Sequence, residues 1–130
     1  MRRVRDQRGA GTLETVLVMP LVLVLITVVV QFALWYHASH VALAAAQDGV
    51  GAARVEAGTD ADGAARAQID LDQLGHNLVL SAQVTVTRDP TTATATVDVS
   101  GWAPELVPGI RLPIHQHASA PLDRFYPNQP

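Results

Sequence analysis

The apolar positions of this chain follow three rhythms. From Thr15 to Tyr36 they are nearly continuous, in a run of 22 residues (TVLVMPLVLVLITVVVQFALWY) without Asp, Glu, Lys or Arg. A helix of that length reaches about 33 Å, against about 30 Å for a hydrocarbon core. Its β-branched residues are poor helix formers in water, but in lipid the backbone must satisfy its own hydrogen bonds, so the run is predicted as a membrane helix. Trp35 and Tyr36 close it, where amphipathic rings favour the membrane interface.

The second rhythm is alanine-rich with interleaved glycine, from Ala38 to Ala57. Small residues let helices approach closely, and the membrane helix is expected to continue to about Glu56. Gly58-Thr59-Asp60 reads as a break and a new N-cap, with a second helix over 61–74 carrying Ala64, Ala67, Ile69 or Leu71, and Leu74 on its apolar face. Gly75 is its expected C-cap.

The third rhythm is alternation. Leu80, Ala82, Val84 and Val86 share one face within 78–87, with Ser81, Gln83, Thr85 and Thr87 opposite. Arg88-Asp89-Pro90-Thr91 supplies turn chemistry, and 93–99 alternates again, so a β-hairpin is predicted. A lone hairpin is marginal in water and must pack on the helices or on partners; a third strand is expected near 111–119. Leu106-Val107-Pro108-Gly109-Ile110 is an apolar loop, read as core in preference to contact surface.

The fold class is therefore α+β and membrane-anchored: a long N-terminal transmembrane helix, a short second helix and a small antiparallel sheet. The expected organisation is a basic leader over 1–9, a transmembrane helix over 10–36, its exported extension over 37–57, a small α+β domain over 58–121 and a flexible tail over 122–130.

Charge adds an orientation. Arg2, Arg3, Arg5 and Arg8 crowd the first nine residues, after which five arginines face eleven acids. Arginines stay on the cytoplasmic side, so the N-terminus is expected inside and everything after Tyr36 outside. The net charge of −3 leaves no electrostatic footprint for nucleic acid. The chain has no cysteine, which excludes disulfides, zinc knuckles and thiol catalysis. His37 and His40 fall at helical spacing and His115 and His117 on one strand face, but no acidic or thiol ligand is spaced to join them in a metal site. Asp70 and Asp72 read as a solvated helix face. No phosphate loop or nucleophile elbow is present, so no catalytic residue, cofactor or small-molecule substrate is expected.

The run is too long and too aromatic at its end for a cleaved secretory signal. Two residues also set it apart from a plain anchor. Glu14 stands at its head, and a carboxylate in lipid costs on the order of 2.5–3.5 kcal/mol at the centre and less at the edge. Pro20, six residues on, removes a backbone donor and is a candidate kink.

The stretch Arg8-Gly9-Ala10-Gly11-Thr12-Leu13-Glu14, followed by an apolar run with Pro20, resembles the N-terminus of TadE-like proteins. These are minor pilins or pseudopilins of the Tad (Flp-type, type IVc) pilus. Ala44-Ala45-Ala46-Gln47-Asp48-Gly49 resembles the family's small-residue stretch, with Gln47 where an arginine is usual. The resemblance covers about 8–55.

The resemblance implies a structural, non-catalytic protein cut by prepilin peptidase between Gly9 and Ala10. It implies partnership with other Tad pilins and the pilus assembly platform, in the cytoplasmic membrane or the pilus. Cleavage there places Glu14 at mature position five; cleavage after Gly11 would place it at three. The family further implies that the new Ala10 amine meets the Glu14 carboxylate of a neighbour, which makes Glu14 a register residue in assembly. The alternative is an unprocessed single-pass module whose outer hairpin binds a cell-surface or secretion partner.

Overall fold

A computed structural model describes residues 8–123. Five elements follow in order: α1 (Arg8–Arg54), α2 (Asp60–Leu74), β1 (Leu80–Asp89), β2 (Thr94–Trp102) and β3 (Pro113–Pro121). The predicted α+β architecture is present, with a three-stranded sheet. The leader residues Arg2, Arg3 and Arg5 and the tail beyond Asp123 lie outside the described residues.

The helix α1 has 47 residues, so it extends about 70 Å. Its first half is apolar and exposed all round, from Leu13 at 67 % to Val29 at 61 %. It is long and apolar enough to cross a membrane. Its second half buries one stripe: Ala38, Ala42, Ala45, Ala46, Val50 and Ala53. Those steps of three and four keep the stripe on one face of a 3.6-residue helix.

That stripe meets α2 and the sheet. The sheet is an antiparallel meander in the order β1-β2-β3. Ala95, Val97 and Val99 of the central strand and Ile114 of β3 complete the core with Ala67, Leu71 and Val79. All six core side chains on α1, and all the others except Leu71 and Ile114, are alanine or valine, so the layers close by short backbone approach and few large rings are required.

Gly49 and Gly63 mark a close approach between the helices. A Cβ on Gly49 would stand 2.9 Å from the Gly63 carbonyl oxygen and 3.0 Å from the Ala67 Cβ. Gly63 is reciprocal, with a built Cβ 2.8 Å from the Ala53 Cβ. The two helices therefore touch backbone to backbone.

The N-cap of α2 is Thr59, one residue before Asp60. Its hydroxyl accepts from the Asp62 amide at 3.1 Å, and the Asp62 carboxylate accepts from the Thr59 amide at 2.9 Å, a capping box. The Thr59 hydroxyl and amide hold the Asp62 carboxyl below its ordinary pKa. Gly63 occupies the buried face of α2 together with Ala67, Asp70 and Leu71, whereas Ile69 and Leu74 are exposed. The helix leans on its glycine and alanine because only they permit the close approach to α1.

On β1, Ala82, Val84 and Val86 face inward as expected, but Leu80 does not. The register shifts between Leu80 and Gln83, with Ser81 at φ 51°, so the alternation slips and Val79 enters the core. The hairpin turn lies two residues later than the sequence suggests, at 90–93, where the Asp89 carboxylate accepts the Thr91 amide at 2.8 Å. That amide holds the Asp89 carboxyl below its ordinary pKa.

The loop over 106–110 is corrected by the structure. Leu106 and Ile110 are 46 % and 43 % exposed, and the core closes above them through Ala103 and Ile114. Proline and glycine keep the loop out of either ladder, so its side chains project from the end of the domain.

Candidate functional site: polar positions along the long helix

Residues with chemistry on α1 occur at its start, at the end of its apolar run and where it meets α2. At the start, the helix includes the backbone of Gly9 and Ala10. Glu14 is exposed beside Thr15, Val18 and Met19, which line a shallow open depression. Among the described residues, Glu14 has no ion-pair partner.

The threonines in the apolar run satisfy themselves locally. The Thr15 hydroxyl donates to the Gly11 carbonyl at 2.9 Å and that of Thr27 to the Leu23 carbonyl at 2.8 Å. Pro20 sits inside the helix without interrupting it. It supplies no N–H to the Val16 carbonyl, so that carbonyl lacks its usual intrahelical donor.

Gln31 is the residue that the sequence reading passed over. It is 2 % exposed, and both ends of its amide are hydrogen-bonded to the loop that follows β2. Its Nε2 donates to the Pro104 carbonyl at 2.8 Å. Its Oε1 accepts from the Leu106 amide at 2.7 Å and the Val107 amide at 3.3 Å. One turn on, the Trp35 Nε1 donates to the Pro113 carbonyl at 3.0 Å. The signal was a single amide in a run otherwise apolar but for threonine, with an apolar, proline-rich segment downstream to receive it.

Where α1 meets α2, Asp48 and Asp70 converge on Arg66, at 3.5 Å and 3.2 Å. Asp70 is 5 % exposed, contrary to the solvated face expected for it; Asp72 is exposed and accepts from Gln68 at 3.2 Å. Burial pushes the Asp70 carboxyl above its ordinary pKa, and the neighbouring Asp48 carboxylate adds to the rise, while the Arg66 guanidinium opposes it. The Ala44–Gly49 stretch thus has a local physical role: Gly49 admits α2 and Asp48 reaches its arginine.

The histidines remain dispersed on exposed surfaces. His40 packs edge-on to the Tyr36 ring with centroids 4.4 Å apart, and His115 and His117 face outward from β3. Among the described residues, no three His, Asp or Glu side chains gather as metal ligands.

Comparison with known families gives a match to the membrane-helix part of the chain. No curated protein and no solved structure matches the chain. The family model described as TadE-like protein matches residues 9–50, which include Gly9, Glu14, Pro20, Gln31 and Gly49. The 9–50 segment of this chain, the apolar part of α1 and the stretch that docks α2, is thus similar to TadE-like proteins.

Proposed function

We propose that the protein is a structural minor pilin or pseudopilin of a Tad-type pilus, acting in pilus assembly, initiation or adhesion. The observation that carries this reading is the TadE-like match over 9–50, with Glu14 at its head. In this reading prepilin peptidase cuts between Gly9 and Ala10, and Arg2, Arg3, Arg5 and Arg8 remain on the cytoplasmic side with the leader. The α+β domain stands outside the cytoplasmic membrane, where other Tad pilins and the assembly platform engage it.

Glu14 then acts between subunits. An amine and a carboxylate left separately in lipid each carry a desolvation cost of several kcal/mol, and pairing offsets part of it. The Ala10 amine of one helix and the Glu14 carboxylate of the next would fix their axial register. Pro20 is a point at which the apolar helix can bend to follow its neighbours.

The test compares Glu14→Ala and Glu14→Gln with the wild type at matched protein levels. Both variants should insert normally but lose helix-to-helix crosslinks and piliation, since neither can neutralise the amine. Normal crosslinking and piliation in both would reduce Glu14 to a flanking residue.

A further inference from the structure

We infer that the 104–111 loop is a second membrane contact, seated in the leaflet from which the C-terminal end of the apolar run emerges. The inference rests on α1 crossing the bilayer. Gln31 lies five residues before Tyr36, about 7.5 Å back along the helix axis from the end of the run. It also lies 17 residues beyond Glu14, about 25 Å along a helix that spans about 30 Å of hydrocarbon. The backbone of Pro104, Leu106 and Val107 is hydrogen-bonded to this side chain, so the loop is held at the same depth.

The loop is suited to that depth. Leu106 and Ile110 project outward at 46 % and 43 % exposure, and Trp102, 43 % exposed, stands at the same end of the sheet, paired with Pro113. Apolar side chains clustered at this level and continuous with a lipid-facing helix gain by entering the acyl boundary. Trp102 joins Trp35 at the level where indole rings collect. Backbone donors here would be costly if unpaired. Pro104, Pro108 and Pro113 supply none, the Ile110 amide donates to the Val107 carbonyl at 3.1 Å, and the Gly109 amide donates to the Glu105 carboxylate. Arg111, 74 % exposed and 3.5 Å from Glu105, is long enough to reach lipid phosphate from the rim.

The occupant is therefore the bilayer that α1 already crosses. Gln31 and the loop form one unit: the loop pairs both ends of the amide inside the apolar zone, and the amide keeps the loop there.

The chain has no native cysteine, which permits single labels. Full-length Ile110→Cys, Leu106→Cys, Thr85→Cys and Val24→Cys are spin-labelled and reconstituted in phosphatidylcholine–phosphatidylglycerol vesicles. Collisions with oxygen and with a water-soluble nickel chelate are then measured. Labels at 110 and 106 should show several-fold lower nickel and higher oxygen accessibility than at 85, approaching the values at 24. Equal nickel accessibility at 110, 106 and 85 would overturn the inference while leaving the spanning helix intact. Shielding from both reagents, with dipolar broadening lost on dilution by unlabelled chain, would assign the loop to a second copy and overturn it too. A nickel-accessible label at 24 would remove the spanning helix itself.

Discussion

Gly49 and Gly63 bring α1 and α2 into backbone contact, each lying where a Cβ would meet the other's carbonyl oxygen at about van der Waals overlap, 2.9 and 3.0 Å. A glycine within a helix normally costs about 1 kcal/mol relative to alanine. Here that cost is offset by an approach that no larger residue allows, and it locks the α+β domain to the helix that carries it.

Gly49→Ala should therefore destabilise the domain, by about 1–3 kcal/mol, as overpacking against a backbone oxygen does. Gly51 is the internal control, since nothing lies within 4 Å of its built Cβ. Gly51→Ala should stabilise by roughly 0.5–1 kcal/mol. Thermal unfolding of both variants in detergent micelles reads the two signs. A stabilising Gly49→Ala would mean that α2 packs less closely than described.

The contact between Gln31 and Leu106 joins positions 75 residues apart in sequence at 2.7 Å. Gln31→Leu removes both ends of the amide and leaves the Pro104 carbonyl and the Leu106 and Val107 amides without their partner. A loss of about 1–3 kcal/mol is expected for each buried group left unsatisfied. Hydrogen exchange at the Leu106 amide is the sharper readout, and its protection should fall while that of Val97 in the central strand stays high. Unchanged protection at Leu106 would show that the loop holds itself.

Asp70 makes stability depend on pH. Its folded pKa is raised above the ordinary 3.8, so the fold binds this proton more tightly than the unfolded chain does. Its contribution is fully present below about pH 3.8 and is lost as the pH rises through the raised folded value. Asp70→Asn should therefore be more stable than the wild type at pH 7, with the difference shrinking as the pH falls through the raised folded value towards 3.8. The Arg66 guanidinium is half exposed and contributes little against this. A variant less stable than the wild type at pH 7 would show that the Arg66 pair outweighs the burial.

Much of the fold was legible because its elements are strongly periodic. The apolar run, the helix ending near Arg54 and the alternating strands follow from spacing alone. The errors came where position depends on contacts distant in sequence. Leu74 and Ile69 are apolar yet exposed, because α2 turns its glycine and alanine toward α1. Leu80 leaves its strand face through a bulge that no turn residue announces. Leu106 and Ile110 are apolar loop residues outside the core, and their placement depends on Gln31, which becomes visible as their partner only in three dimensions. Glu14 and Pro20 stand out in the sequence for the opposite reason, since each departs from the chemistry of an apolar helix, and the roles proposed for them rest on that departure.

The central claim, that this is a processed pilin-type subunit, is tested most directly by the mass and N-terminal sequence of the protein purified from membranes of its native host. The mature chain should begin at Ala10, with Glu14 as its fifth residue, and Gly9→Ala should accumulate the longer form, since the peptidase needs a residue small enough for close approach. An intact chain that still carries Arg2, Arg3, Arg5 and Arg8 while prepilin peptidase is active would contradict it.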